Sequence, residues 1–150
     1  EAYRTSSVRV TVADYYWEFD KVVRGTPTGK KLPWNGFDTF RTGKIINRAP
    51  VSRQAPLVED TLDGKPFLGA VLEFPVAGVR VVYEFDRKYS QTAIWNWFGD
   101  EDFFCAEPMS WIADSPHLPL PEAETGIYAL EPGKTWEAEN SIRVDDKVSK

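Results

Sequence analysis

The sequence has very few of the side chains that bind metal ions or form cross-links. Its 150 residues include one cysteine, Cys105, and one histidine, His117. A single cysteine excludes a disulfide within the chain and a zinc site built from cysteines. A single histidine excludes a metal centre with several histidine ligands from this chain alone. We therefore expect the protein to need no metal ion.

Clustered basic residues and long apolar runs are also missing. The net charge is −5, and basic residues are adjacent only at Lys30-Lys31 and Arg87-Lys88, whereas nucleic-acid binding depends on clustered Lys and Arg. Without a signal peptide or a run of about 20 apolar residues, we expect no membrane partner and a cytoplasmic location. The segment Arg24–Lys30 lacks the glycine and Lys-Ser/Thr order of a phosphate-binding loop. We therefore expect no nucleotide or flavin cofactor.

Aromatic and β-branched residues are plentiful instead. Nine Phe, six Trp and six Tyr accompany many Val and Thr, whereas Leu and Met number only eight and one. Aromatic and β-branched side chains favour the pleated surface of a sheet, while Leu and Met favour helices. The length is typical of one domain. The sequence therefore predicts a single all-β domain over residues 1–150.

Alternation of apolar and polar residues with a period of two predicts antiparallel strands. Ala70–Phe74 and Val79–Phe85 are joined by the tight connection Pro75–Gly78, which predicts a hairpin. Gln91–Phe98 is apolar on both faces, as is typical of a central strand. The other predicted strands are Val8–Val12, Tyr15–Phe19, Phe103–Glu107 and a final pair, Gly126–Leu130 with Thr135–Val144. We predict no helix longer than a turn or two, and a β-sandwich or a strongly curved open sheet.

Two long polar stretches that contain Pro and Gly separate the predicted strands. They are Arg24–Leu68 and Met109–Thr125. Loops of this length in a compact domain are usually lids or binding loops. We therefore predict that both stretches are functional loops.

Glu107 is the main candidate for a catalytic side chain. Alternation places it on the same strand face as Phe103 and Cys105, and Pro108 restrains its backbone to an extended conformation. A carboxylate at the end of an apolar strand is partly desolvated, which raises its pKa towards that of a useful general base. The competing interpretation is a strand-end glutamate that points into solvent or pairs with an arginine.

Three tryptophans flank the Glu107 strand in the sequence: Trp95, Trp97 and Trp111. Aromatic faces beside a carboxylate suit a small polar ligand with one apolar face, such as a pyranose. The alternative is that they are core residues. We predict that these tryptophans contribute to a sugar-binding surface.

The remaining polar candidates have weaker support. An imidazole can act as an acid or a base near neutral pH, but His117 lies in the proline-rich segment Ser115–Pro119 without a recognisable nucleophile. We expect it to be a solvated loop residue. The acidic run Asp100–Asp102 lacks calcium-loop spacing, so we expect a solvated turn there.

Several short motifs occur in a distinctive order along the chain. They are Thr26–Lys30 (TPTGK), Phe40-Arg41, Phe104–Met109 (FCAEPM), Ala113–His117 (ADSPH) and Leu130–Lys134 (LEPGK). In order and rough spacing they resemble five motifs of the aldose 1-epimerase (galactose mutarotase-like) family. In the same order, these motifs are an Ile-Pro-Thr-Gly turn, the tripeptide Asp-Phe-Arg, an apolar run that ends in Glu-Pro, a loop of Ala, Pro and Asn, and a Leu-x-Pro-Gly-Glu turn. The resemblance covers most of the chain and corresponds to the C-terminal half of the family's proteins.

The resemblance implies a curved antiparallel β-sandwich and the interconversion of the α and β anomers of a free hexose such as galactose or glucose. In the family a glutamate accepts the proton of the anomeric hydroxyl, and a histidine protonates the ring oxygen. Carried over, Glu107 is the base. A sugar-binding aspartate of the family corresponds to the region of Glu59–Thr61, where Asp60 is the candidate. The resemblance implies no cofactor.

The sequence also departs from the family. Family members are about twice as long, and their catalytic histidines lie in the half that has no counterpart here. His117 stands where the family carries Asn, and Thr39 stands where it carries Asp. Three hypotheses follow. The first is an epimerase whose acid comes from a missing N-terminal half or a second chain. The second is a non-catalytic sugar-binding sandwich, and the third is a structural or interaction domain.

A half-length piece of a two-sheet fold would also associate through uncovered strand faces, for which Val8–Val12 and Val79–Phe85 are candidates.

Overall fold

Two antiparallel sheets pack face to face in the computed structural model, which describes residues 6–22, 25–35, 44–45, 51–96 and 103–146. The strands in this part of the chain are β1 (Ser7–Val10), β2 (Tyr15–Phe19), β3 (Pro27–Pro33), β4 (Lys44–Ile45), β5 (Ser52–Pro56), β6 (Asp60–Leu62), β7 (Lys65–Phe67), β8 (Gly69–Phe74), β9 (Val79–Glu84), β10 (Gln91–Trp95), β11 (Cys105–Met109) and β12 (Ser141–Asp145). Helical structure in the same ranges consists of one 3₁₀ turn, Ser115–His117, and a short helix α1, Glu122–Thr125. The fold is thus an all-β antiparallel sandwich, as predicted.

The larger sheet has five strands in the order β12-β9-β8-β1-β4, and the smaller one has three in the order β11-β10-β5. β2 pairs with β3, and β6 with β7, as separate hairpins. The predicted hairpin of β8 and β9 is confirmed, with Phe74 opposite Val79 across the turn. β10 is the central strand of the smaller sheet, also as predicted.

One apolar core fills the space between the two sheets. Val8, Val10 and Ala70 of the five-stranded sheet share this core with Ala55 and Ile94 of the three-stranded sheet, and all five are completely buried. The alternation in β1 explains the arrangement, because its valines point inward while Ser7 and Arg9 lie on the other face. Burial of such side chains is the main favourable term in folding.

The opposite face of the five-stranded sheet is covered by the β6–β7 hairpin. Phe67 packs there on Val71 and Val82 in a small second cluster. Arg80 hydrogen-bonds Asp63 of the hairpin turn and Asp145 of β12. The Arg80 guanidinium holds the pKa of Asp63 below its usual range. The hairpin is therefore attached by a small apolar cluster and by the ion pairs Arg80–Asp63 and Arg9–Asp60.

The prediction of a long loop is wrong for one of the two stretches. The described part of the stretch Arg24–Leu68 is not one loop, because β3, β4, β5, β6 and β7 lie in it. β6 and β7 have three residues each, whereas β3 has seven, and the exposed positions of all three carry Lys, Thr and Pro, so they lack a local apolar pattern. The second stretch, Met109–Thr125, contains only the end of β11, the 3₁₀ turn and α1, so most of it is loop, as predicted.

The final predicted strand pair does not form. Gly126–Leu130 is not a strand, and the end of Thr135–Val144 pairs with β9 as part of β12. The Asp86 carboxylate accepts backbone N–H bonds from Glu139 and Lys88, both at 2.9 Å. These bonds lower the pKa of Asp86. They bring the chain to the end of β9, where β12 then adds to the edge of the sheet.

None of the helices among the described residues is long and apolar enough to cross a membrane.

Candidate functional site

A pocket of about 520 Å³ lies on the face of the three-stranded sheet that points away from the core. Its lining includes Gln54 of β5, Ala93 and Trp95 of β10, and Glu107 and Met109 of β11. Phe19 and Asp20, at the end of β2, also line it. The pocket therefore lies between this face of the three-stranded sheet and the β2–β3 hairpin.

Strand register explains why these side chains meet. Ala93 pairs with Glu107 on one side and with Gln54 on the other, so the three residues form one row across the sheet. Residues in such a row lie on the same face. Ala93 has the smallest side chain of the row, and it leaves space between the Gln54 amide and the Glu107 carboxylate. That space forms part of the pocket.

Glu107 lies on the pocket wall with its side chain exposed. The expectation that the end of an apolar strand would partly desolvate it is therefore wrong. The physical reason is that the apolar neighbours Ala106 and Phe104 point to the core on the opposite face of the strand. Pro108 is opposite Thr92 in the ladder, so the backbone at Glu107 is extended, as predicted.

Cys105 shares the strand face of Glu107, as the alternation predicted. Burial raises the pKa of the Cys105 thiol, and the charge and hydrogen bond of the nearby Glu107 carboxylate raise it further. The thiol is half-buried and forms no disulfide. Its reactivity therefore depends on its burial and, in part, on the negative charge of the Glu107 side chain.

We expect Glu107→Gln to speed the alkylation of Cys105 at pH 8. The thiolate is the reactive form, and a raised pKa means that less thiolate is present at that pH. Removing the neighbouring negative charge lowers the thiol pKa, so the rate rises and its pH profile moves to lower pH. The measurement is the iodoacetamide reaction followed by mass spectrometry. Glu131→Gln, in an exposed turn, is the matched control and should leave the rate unchanged.

Two buried glutamines position the segment that follows β11, and neither was predicted from the sequence. The Gln54 side chain is 3% exposed, donates to Met109 Sδ at 2.8 Å and accepts from the backbone N–H of Ala113 at 3.1 Å. Gln91 is 1% exposed and donates to the carbonyl of Glu124 at 3.1 Å. Each amide satisfies backbone groups of the loop, which fixes the loop against the sheet.

Gly126 completes this attachment. It ends α1 with a φ of 78°, and a Cβ at this position would lie 1.9 Å from Ser90 Oγ and 2.4 Å from the carbonyl oxygen of Ser110. No other residue allows so close an approach of the two segments. The loop beside the pocket is therefore held by packing and hydrogen bonds at both ends.

Comparison with solved structures identifies the architecture. A galactose mutarotase-like protein from Clostridium acetobutylicum superimposes with a TM-score of 0.87 and 28% sequence identity, over 95% of this chain and 42% of that one. The chain has a galactose mutarotase-like fold. It spans less than half the length of the structure that it matches. No protein-family model matches the sequence.

The mutarotase-like fold brings only some of the predicted site residues together. Trp95 lines the pocket with Glu107, and its ring makes an edge-on contact with Phe103 at 5.2 Å between centroids. Trp111 is 41% exposed, follows β11 and is not among the residues that line this pocket. Trp97 and the acidic run Asp100–Asp102 lie outside the described residues.

Asp60 and His117 lie away from this pocket in the mutarotase-like fold. Asp60 is on β6, 3.7 Å from Arg9 of the five-stranded sheet, and it lines a separate small cavity of about 130 Å³. His117 is exposed, and its Nδ1 lies 2.5 Å from Oδ1 of Asp114. Neither residue contributes to the lining of the Glu107 pocket. Within the described ranges, no three His, Cys, Asp or Glu side chains are grouped so that they could hold a metal ion.

Proposed function

We propose that the pocket binds a hexose and that Glu107 acts on it as a general base, in an aldose 1-epimerase-like reaction. The observation that carries the proposal is the accessible carboxylate on the wall of a pocket in a mutarotase-like fold. A volume of about 520 Å³ is in the range of small-ligand sites. Trp95 offers an aromatic surface, and the polar side chains of Ser52 and Asp20 offer hydrogen-bonding groups.

The proposed chemistry needs one base and one acid. Glu107 accepts the proton of the anomeric hydroxyl while an acid protonates the ring oxygen, and the bond between the anomeric carbon and the ring oxygen breaks. The open-chain aldehyde rotates about its adjacent carbon–carbon bond, and the ring then closes on the other face as both proton transfers reverse. Each such proton transfer contributes about 10²- to 10⁴-fold in rate.

The acid is not His117 in this proposal, because that histidine is exposed and lies outside the pocket lining. The chain has no other histidine. If the acid is a histidine, as the family resemblance implies, an epimerase of the proposed type takes it from polypeptide beyond these residues, which fits the 42% share of the matched structure.

The same observation supports a second candidate function, a non-catalytic carbohydrate-binding module. A pocket with a carboxylate, an indole and an amide can bind a pyranose without an acid. In that case the 150 residues bind sugar but do not accelerate mutarotation. Binding therefore tests the site itself, and the rate tests the catalytic role.

We expect Ala93→Leu to weaken hexose binding by about tenfold or more, because the larger side chain occupies part of the pocket. A loss of about 1.4 kcal/mol in binding free energy lowers the affinity tenfold. The larger side chain fills the space between Gln54 and Glu107 but points into the pocket and not into the core, so folding is retained. Calorimetric titration with galactose and glucose measures the affinity. Ala77→Leu, at the exposed hairpin turn, is the control. Equal affinity of the Ala93→Leu variant and the parent would place the sugar elsewhere.

A further inference from the structure

The lining of the Glu107 pocket comes from parts of the chain that share no strand ladder. Phe19 and Asp20, at the end of β2, form one part of it, and Ala113 forms another. Ala113 belongs to the segment 110–126 after β11, which we call the pocket loop. Within the described part of the chain, β2 pairs only with β3. The position of the β2–β3 hairpin relative to the pocket loop therefore depends on side-chain contacts between them.

Lys31 of β3 joins the hairpin to the pocket loop. Its Nζ lies 2.6 Å from Oε2 of Glu124, 5.1 Å from the ring centroid of Tyr15 and 5.7 Å from that of Trp17. The ammonium donates a charge-assisted hydrogen bond to the carboxylate, and the aromatic faces also attract the positive charge. The hydrogen bond to Glu124 raises the pKa of Lys31. Lys31 is therefore fully charged at neutral pH.

This contact belongs to a closed ring of four residues from four elements. Trp17 of β2 lies opposite Lys31 in the hairpin ladder, and its Nε1 donates to the Gln91 amide at 2.9 Å. Gln91 of β10 donates in turn to the backbone carbonyl of Glu124 at 3.1 Å. Lys31 closes the ring between the Glu124 carboxylate and the Trp17 indole. Each residue thus contacts two others, which restricts the position of Glu124.

The hairpin and the pocket loop also meet close to the pocket itself. Leu120 of the loop packs beside Gly29 of β3, where a Cβ would lie 3.7 Å from Leu120 Cδ1. Phe19 lines the pocket two residues, or about 7 Å, beyond Trp17 on β2. A change in the contacts of Lys31 therefore acts directly beside the pocket lining.

We propose that Lys31 is a positioning residue whose ion pair with Glu124 holds the pocket loop against the β2–β3 hairpin and so keeps the Glu107 pocket narrow. The proposal deepens the proposed function, because it rests on the same pocket. An exposed ion pair alone usually contributes little to stability. Lys31 differs from such a pair because its ammonium also contacts two aromatic rings, and because Gln91 fixes the backbone of its partner. Its loss should therefore open the pocket locally and leave the domain folded.

Lys30 provides a matched control on the same strand. Its Nζ lies 3.7 Å from Oε2 of Glu18, and its side chain is 75% exposed. That pair joins β3 to β2 within the hairpin and does not involve the pocket loop. Lys30→Gln therefore removes a positive charge and an exposed ion pair, as Lys31→Gln does, but keeps the contact with Glu124. Lys31→Arg is the conservative variant, because a guanidinium also pairs with carboxylates and stacks on aromatic rings.

The first measurement uses a thiol in the pocket and needs no sugar. Ala93→Cys places this thiol in the pocket lining. Its reaction with iodoacetamide is followed by peptide mass mapping in the protein from the complete gene, so that Cys105 and any other cysteine are counted separately. Lys31→Gln, added to this variant, should speed labelling by about three- to tenfold, since a looser loop exposes the pocket more often. Loss of a positive charge disfavours the thiolate, so the charge change alone would slow the reaction.

Lys31→Arg and Lys30→Gln should label the pocket thiol at the parent rate. Equal rates for Lys31→Gln and Lys30→Gln overturn the proposal, because the pocket then does not depend on the contact with Glu124. A fast rate for Lys31→Arg also overturns it, since that variant keeps the charge.

The second measurement is the affinity for galactose and glucose, by calorimetric titration of proteins that retain Ala93. Lys31→Gln should weaken binding by about threefold or more. In an active protein it should raise KM and change kcat little, because Lys31 is outside the pocket lining. A lysine needed only for folding would instead lower the active fraction and leave KM unchanged.

Faster labelling with unchanged affinity, in a protein that binds hexose, overturns the role of Lys31 at this site. If neither the parent nor any variant binds hexose, the proposed function fails. The labelling rates then decide by themselves whether Lys31 keeps the pocket narrow.

Discussion

Glu107→Gln is expected to lower the rate of sugar mutarotation by about two orders of magnitude or more, which is the usual contribution of a general base. The amide keeps the shape of the side chain and one acceptor oxygen, but it cannot take the proton of the anomeric hydroxyl. Glu107 is exposed on the pocket wall, so the substitution should change the free energy of unfolding little. The measurement is the decay of optical rotation of freshly dissolved α-glucose or α-galactose above the buffer rate.

Matched variants make this experiment specific for position 107. Glu131→Gln removes the same charge from an exposed turn and should leave the rate unchanged. His117→Ala should also have little effect, because that ring is outside the pocket lining. The assay is run on the protein from the complete gene and on the 150-residue chain. If the Glu107→Gln variant of an active protein relaxes the sugar as fast as the parent, the assignment of the base is wrong.

Loss of acceleration in every preparation, with hexose binding retained, would support the binding module instead. The Ala93→Leu titration then still identifies the pocket, since it measures affinity and not rate. The two experiments together separate a wrong site from a site without catalysis.

Trp17→Ala is expected to lower the free energy of unfolding by about 3–5 kcal/mol, the usual cost of removing a buried aromatic side chain. Trp17 on β2 is 0% exposed, and its Nε1 donates a 2.9 Å hydrogen bond to Oε1 of the buried Gln91. The substitution leaves a cavity and removes the hydrogen-bond donor for that amide. A domain of this size is stable by only about 5–15 kcal/mol, so the variant should lie near the limit of folding.

Urea denaturation followed by far-UV circular dichroism measures this change. Trp111→Ala is the comparison, because Trp111 is 41% exposed and buries less apolar area than Trp17, so its loss of stability should be clearly smaller. A Trp17→Ala variant as stable as the Trp111→Ala variant would show that β2 is not packed on the rest of the protein. Trp17→Phe should recover part of the loss, since it restores apolar volume without the Nε1 donor.

Elements with a strong local pattern were predictable from the sequence. β8 and β9 alternate clearly and are separated by a short turn, so both strands and their pairing follow from neighbouring residues. The same holds for β2, whose predicted bounds agree with the structure. The shared face of Cys105 and Glu107 also followed from alternation alone.

Elements that depend on distant partners were not predictable. β5 (Ser52–Pro56) is polar in sequence, yet it forms an edge of the three-stranded sheet because β10 offers it a ladder. Gly126–Leu130 has a strand-like sequence but forms no strand here, and its residues Tyr128 and Leu130 are 39% and 52% exposed. Strand pairing is a tertiary interaction, so propensity alone does not determine it.

The sequence by itself determined the all-β class, the period-two faces and the extended backbone at Glu107, because each depends on residues that are near one another in the chain. Only the tertiary structure decided which face of β11 opens to a pocket, because Ala93 and Gln54 come to the same row through register with two other strands. It also decided that Asp60 and His117 lie elsewhere, and that the inner face of β12 is uncovered. Those properties depend on which segments pack together, and apolar burial depends on the whole arrangement of sheets rather than on any single strand.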